Sequence, residues 1–138
     1  MPVDEAVELW QVQVTNLSGR ARRIGIYPHA TIGYMSWMNQ SACHRPDLGG
    51  IVASSVTPYQ KVEDYFGNRG LKDKTFFLHD REPVAYETAR EAFEGEGGLH
   101  DPDALRRETL GNGDALHETP AAVLQYRVEL EPGQDEAY

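Results

Sequence analysis

The sequence predicts a mainly β domain of antiparallel strands with one or two short helical insertions near residues 85–110. Three observations carry this. Residues 8–15 and 121–130 alternate apolar and polar side chains with the period of two expected of half-buried strands. Turn formers cluster between the apolar segments, at residues 16–20, 45–50, 80–83 and 131–134. Helical spacing is confined to the stretch that follows Pro83.

The first strand spans residues 8–15, with Trp10, Val12 and Val14 on one face and Leu9, Gln11 and Gln13 on the other. Asn16-Leu17-Ser18-Gly19-Arg20 reads as a turn in which Gly19 is free to take a positive φ. Residues 22–31 resume extended structure with Ile24 and Ile26 inward, and the two segments are expected to form a hairpin. Pro28 has no N–H for a ladder, so the second strand must bend or lie at an edge there. His29 has no second His or acid at ligand spacing and reads as a hydrogen-bonded structural histidine.

Residues 33–60 form a long polar connection bearing aromatics, the kind of segment on which a β scaffold carries recognition. Tyr34, Met35, Trp37 and Met38 open it, interleaved with Ser36, Asn39, Gln40 and Ser41. Two readings fit: a cap on one end of the core, or a sugar-stacking or subunit-contact surface. The connection turns through Arg45, Pro46, Asp47 and Gly49–Gly50 and enters a strand at Ile51 that ends at Thr57-Pro58. Tyr65 and Phe66 anchor the polar segment 62–68, and TFFLH at 75–79 resembles a strand buried on both faces.

Residues 85–94 are expected to form an amphipathic helix, with Tyr86, Ala89 and Phe93 at i, i+3 and i+7 and glycines 95, 97 and 98 stopping it. Asp101-Pro102 has the form of an N-cap followed by Pro at the first helical position, opening one or two more turns over 103–110. Gly111–Asp114 is a loop. The strand 121–130 points Ala122, Leu124, Tyr126, Val128 and Leu130 one way and Val123, Gln125, Arg127 and Glu129 the other. The turn at 131–134 is expected to lead into a further strand, with only a few residues left to form it. That ending suggests a piece of something longer.

With 138 residues the chain has room for one domain, and 40% hydrophobic and 25% charged residues are ordinary for a globular protein. No apolar run approaches the ~20 residues of a membrane span. The start, MPVDEAVELW, lacks the basic-then-apolar order of a signal peptide. A single cysteine, Cys43, excludes an internal disulfide framework and points to a reducing, cytoplasmic setting. It reads as a passive surface thiol, since nothing in the sequence marks it as activated. A net charge of −9 argues against a nucleic-acid partner. The one tight basic cluster, Arg20, Arg22 and Arg23, reads as a solvated strand entrance.

No nucleotide-binding, nucleophile-elbow, HExxH or CxxC pattern occurs, so the sequence calls for no cofactor, metal or catalytic residue. His44, His79, His100 and His117 are scattered. Acidic pairs such as Glu63-Asp64, Asp80 with Glu82 and Asp101 with Asp103 invite comparison with glycoside chemistry. With 22 acids in the chain, such pairs are expected by chance.

Four stretches, ELWQVQVTNLSGRARRIGIYPHA, DKTFFLHDREP, REAFEGEGGLHDPDALRRETLGNGDA and PAAVLQYRVELEPGQ, together resemble one family. It is the N-terminal β-sandwich domain of the inverting glycoside phosphorylases of glycoside hydrolase family 94, formerly glycosyltransferase family 36. Cellobiose, cellodextrin and chitobiose phosphorylases and cyclic β-1,2-glucan synthases belong to it. Thr15, Asn16, Ser18, Arg20, Arg22 and Arg23 match its opening pattern; Glu91, Ala92, Phe93 and Gly95 match its middle segment; Leu130, Pro132 and Gly133 match its close.

The resemblance implies a two-sheet antiparallel β-sandwich, galactose-mutarotase-like and here partial, because the usual upstream strands are missing. It implies a parent enzyme whose (α/α)6 barrel, absent here, holds the catalytic aspartate and the phosphate site. Residues 1–138 then form a single non-catalytic domain or subdomain contributing packing, dimer contacts and glucan binding. The alternative is a free-standing sugar-binding module for β-glucan or gluco-oligosaccharide. Tyr34, Trp37, Tyr59 and Tyr65 would be its stacking platforms, with Asn39 and Gln40 as hydroxyl partners. An enzyme acting on sugars by itself is the third reading. Missing strands leave an exposed face or edge, so self-association is expected, with Trp10, Val12, Val14 and the 122–130 stripe in the buried layer.

Overall fold

A computed structural model describes residues 6–32, 38–56 and 73–138. Within them the chain is built mostly from antiparallel strands, and it divides into two compact units. The smaller comprises Met1–Ile26 with Arg127–Tyr138, and the larger comprises Tyr27–Tyr126.

In the smaller unit, β1 (Gln13–Thr15) pairs with β10 (Asp135–Ala137), Val14 facing Glu136. Val12 extends the ladder by exchanging both backbone hydrogen bonds with Tyr138. β2 (Arg22–Ile26) pairs with β9 (Pro120–Leu130), and Arg23 reaches Glu129 at 2.6 Å. The expected hairpin between residues 8–15 and 22–31 is therefore not formed. Each arm takes a partner from the far end of the sequence, a choice that local turn chemistry does not encode. The first strand is also shorter than expected. Trp10 and Val12 are exposed, because β1 belongs to a two-stranded ribbon.

Asn16, 3% exposed, organises this unit. Its Nδ2 donates to the carbonyls of Arg20 and Leu130, both at 2.8 Å, while its Oδ1 accepts from the N–H and hydroxyl of Ser18. Its own backbone bonds Gln134 and Gly133 of the closing turn. The turn after β1 is thus an Asx-type turn. Gly19 is not among the residues with positive φ, whereas Gly133 is, at φ 77. The closing turn does lead into a strand, β10, which pairs with β1 instead of folding back on β9.

The larger unit has two sheets. In one, β9 is flanked by β3 (His29–Thr31) and β7 (Ala85–Ala89). Pro28 breaks the extended run into β2 and β3, as its missing N–H requires. β9 is central, so Ala121 to Tyr126 are buried on both faces, Val123 and Gln125 included; alternation returns only from Arg127 on. In the other sheet the order is β6 (Asp73–Leu78), β5 (Gly50–Val56), β4 (Met38–Arg45) and β8 (Ala115–Leu116).

The second half of the expected connection is therefore strand. Met38–Arg45 pairs with Gly50–Val56 across a turn at Pro46–Leu48, and Cys43 lies in β4 at intermediate exposure. β6 is not buried on both faces. Among the described residues it is an edge strand, and Phe76 and Leu78 are 53% and 57% exposed.

Residues 85–94 hold a strand and a short helical turn in place of one helix. Ala85–Ala89 pairs with β9, and only Arg90–Glu94 is helical. The sequence AYETA is too short for its period to separate strand from helix, and the ladder to β9 decides it. Two 3₁₀ segments follow, Gly95–His100 and Asp103–Arg106, and Asp101 and Asp103 bond Arg106. Phe93, Ala104, Leu110, Ala85, Ala121 and Val123 close a core between this excursion and the sheet, with Tyr27 against them.

Candidate functional site

The register Ala89↔Pro120 ends the β7–β9 ladder, and the Arg90 N–H turns to the Thr119 carbonyl at 3.1 Å. The helical turn begins there. Arg90 Nε reaches Glu94 Oε1 at 2.9 Å across one turn, and Gly95, at φ 56, stops it. Beside the turn lies an open cleft of about 330 Å³ lined by Arg90, Glu91, Glu94, Gly95, Glu118 and Thr119. Phe93 anchors the turn from below, and the His29 ring stacks on it with centroids 5.4 Å apart. Burial lowers the pKa of His29; the Glu94 carboxylate pulls it up and Arg90 adds to the lowering. Among the described residues His29 Nε2 is sealed from solvent and meets no hydrogen-bond partner, so the expectation of a hydrogen-bonded histidine is not met at this atom there.

Next to this lies a buried polar seam that fixes the loop after Leu110. Thr88 Oγ1 donates towards the carbonyls of Ala42 and Gly113, at 3.0 and 2.9 Å, and accepts the Ala115 N–H at 2.7 Å. One hydroxyl thereby joins β7, β4 and β8. Glu87, 3% exposed, accepts the N–H groups of Thr88 and Ala89 through Oε1. A Cβ on Gly111 would lie 2.7 Å from Glu87 Oε2 and one on Gly113 3.0 Å from Oε1, so both glycines make room for the carboxylate. Asn112, at φ 54, bonds the Tyr86 backbone through its own N–H and Oδ1. Gln125 Oε1 accepts the Leu110 N–H, and its Nε2 donates to the Glu108 carbonyl and the Tyr27 hydroxyl.

Two of the scattered histidines meet. The His44 ring stacks on Tyr86 at 4.4 Å and on His79 at 6.0 Å, and Nε2 of both histidines is sealed with no hydrogen-bond partner among the described residues. Burial, with the nearby charge of Asp114 and Glu87, pushes the Tyr86 phenol above its usual range. At the β4–β5 turn the exposed Arg45–Asp47 pair, 2.6 Å, holds Asp47 below the usual carboxylate range.

Of the residues assigned to sugar contact, Tyr34, Trp37, Tyr59 and Tyr65 lie outside the described residues, as does the segment 62–68. Asn39 and Gln40 fall in β4, with Gln40 5% exposed. Sequence reasoning missed Asn16, Glu87, Thr88 and Gln125, the buried polar residues around which the loops are tied. Two signals were visible: NLSG, read as a turn held by its glycine, and GNGD, read as a loop without its buried acid.

Among the described residues no group of three or more His, Cys, Asp and Glu could hold a metal ion. The cleft can accept and donate hydrogen bonds to hydroxyls through its carboxylates and guanidinium. Among the described residues its lining includes no nucleophile held by a base and an orienting group. The fold and these sites define an antiparallel β-sandwich type of domain whose polar residues serve chiefly to hold its own loops.

The chain belongs to the family described as glycosyl hydrolase 94, supersandwich domain, whose model matches residues 1–138. It is 52% identical over 138 residues to a cellobionic acid phosphorylase of Neurospora crassa, covering 100% of this chain and 17% of the relative. It is 26% identical over 142 residues to a solabiose phosphorylase of Paenibacillus borealis, covering 98% of this chain and 18% of the relative. A 3-O-beta-D-glucopyranosyl-beta-D-glucuronide phosphorylase of the same organism is also 26% identical, over 131 residues. The resemblance drawn from the four stretches is thus met. The chain spans under a fifth of the length of these relatives. No helix among the described residues is long and apolar enough to cross a membrane.

Proposed function

We propose that residues 1–138 form one supersandwich domain of a phosphate-dependent disaccharide phosphorylase and do no catalysis alone. The observation that carries this is 52% identity along the whole chain to a relative named for phosphorolysis of cellobionic acid. On this reading the parent enzyme uses inorganic phosphate to cleave a β-glucosidic bond, with an aldonic-acid disaccharide as its substrate class. A separate helical barrel supplies the reacting groups. All three relatives carry phosphorylase names, which favours this over a cyclic glucan synthase. A cytoplasmic setting belongs to the same reading.

The test is phosphorolysis of cellobionic acid, followed as sugar 1-phosphate release. The 138-residue chain is expected to give none, and a longer polypeptide that carries it is expected to turn over. Turnover by the chain alone, or cleavage only of unoxidised cellobiose by the longer form, overturns the reading.

Glucan contact through Tyr34, Trp37, Asn39, Gln40, Tyr59 and Tyr65 remains part of the proposal, as does a homo-oligomer. Support for the oligomer is β6, the end strand of its sheet among the described residues, on which Phe76 and Leu78 are exposed. Sedimentation of the chain should show concentration-dependent association that Leu78→Lys weakens; a monomer at every concentration would count against it.

A further inference from the structure

We propose that His29 is an acid-released latch on the helical turn Arg90–Glu94, and through it on the cleft that this turn lines. His29 is fixed at its backbone by pairing with Val123 on β9. Its ring lies nearly parallel to Phe93, with 19° between the planes. Phe93 is the buried side chain of the turn and part of the core of the larger unit. The His29–Phe93 stack therefore ties the turn to the sheet beneath it.

The stack suits a neutral ring only. A charged imidazolium donates from both nitrogens, and Nε2 is sealed from water with no acceptor in reach among the described residues. Among the described residues two charges act on the ring, both on the turn. Glu94 draws a proton towards it, but that carboxylate is already engaged by Arg90, which opposes the proton. The part of β9 within the larger unit, PAAVLQY, carries no side chain charged near neutrality.

The sign follows from burial, which depresses the folded-state pKa of His29. Above the ordinary imidazole range both the closed and the opened ring are neutral, and acidity has no leverage. As pH falls through about 6.5, an exposed ring takes the proton that the stacked ring refuses, so acid favours opening. Once the ring leaves, Phe93 loses the ring stacked on it and keeps only its contacts in the core. The Arg90 N–H to Thr119 carbonyl bond is then the remaining described backbone tie between the turn and the strand entrance. The wall of the cleft formed by Arg90, Glu91 and Glu94 becomes free to shift.

The experiment is amide exchange of residues 90–95 in the 138-residue chain at pH 7.5 and 5.5, corrected for intrinsic rates. Protection at Phe93 and Glu94 should fall by up to about tenfold at pH 5.5, one unit below the free imidazole value. Protection at Val123 and Leu124 should hold. His29→Phe keeps an aromatic stack without a titrating group and should abolish the fall. A fall that persists in His29→Phe, or none in the parent chain, overturns the latch. A second measurement does not depend on the variant folding: the His29 and Phe93 ring resonances followed together from pH 7.5 to 5. They should move with one midpoint. A His29 that does not titrate, or that titrates while Phe93 stays put, also overturns it.

Discussion

A single hydroxyl, Thr88 Oγ1, serves three backbone groups that lie 46, 25 and 27 residues away in sequence. Thr88→Val keeps the shape and removes the hydroxyl, leaving the Ala42 and Gly113 carbonyls and the Ala115 N–H without that partner. Each buried group left unsatisfied costs about 1–3 kcal/mol, so a loss of about 2–4 kcal/mol is expected in urea unfolding, with Thr88→Ser recovering most of it. A change below about 0.5 kcal/mol would mean that water replaces the hydroxyl. Asn16→Ala should cost about 1–3 kcal/mol by the same reasoning, since the Arg20 and Leu130 carbonyls lose their donor. The two residues differ in how legible they were. Asn16 sits in NLSG, whose turn chemistry is local, so the turn was foreseen even though asparagine and not glycine holds it. Thr88 sits in AYETA, where nothing nearby marks it as buried, because its partners are brought to it by the fold.

The hairpin Met38–Arg45 with Gly50–Val56 shows which features of an element are local. Its turn was readable from Arg45, Pro46, Asp47 and the glycine pair, and the structure uses each. Arg45 pairs with Asp47, Gly49 takes φ 69 and bonds the Pro46 carbonyl, and Gly50 lets β6 pass close. A Cβ on Gly50 would strike the Phe77 carbonyl and come within 2.8 Å of Leu78 Cα. Gly49→Ala should therefore cost about 1–2 kcal/mol for left-handed backbone alone. Gly50→Val should cost more and should lower protection of the β5–β6 amides specifically, which hydrogen exchange would report. Equal protection across β4–β5 and β5–β6 in Gly50→Val would refute the close-approach argument. Strand partners were not local. β1 was expected beside β2 because a turn joins them, but the pairings with β10 and β9 are set by contacts more than a hundred residues apart. The same holds for residues 85–94, where Phe93 fits a helix face and Ala85 to Ala89 fit either period until β9 supplies the ladder.

At the scale of the molecule, family membership was more legible than topology, because four ordered stretches carry it while no stretch states its partner. The topology has a consequence of its own. The smaller unit is assembled from both ends of the chain, and β1 has β10 as its ladder partner in a two-stranded sheet. Asn16 bonds Gln134 and Gly133 through its backbone and Leu130 through its side chain, so the closing turn is also the support of the first turn. The larger unit has a separate core around Phe93, Leu110 and Val123. Removing residues 131–138 deletes β10 and the closing turn while leaving all of β9. Hydrogen exchange of that truncated chain should show loss of protection at Gln13 to Asn16. Protection at Ala121 to Gln125, and at the Ala42 to Ile51 ladder of β4 and β5, should stay within about twofold of the full chain, since their partners are intact. A truncated chain that loses protection everywhere would mean that the two units fold as one cooperative body. One that keeps protection at Gln13 to Asn16 would mean that β1 does not depend on β10.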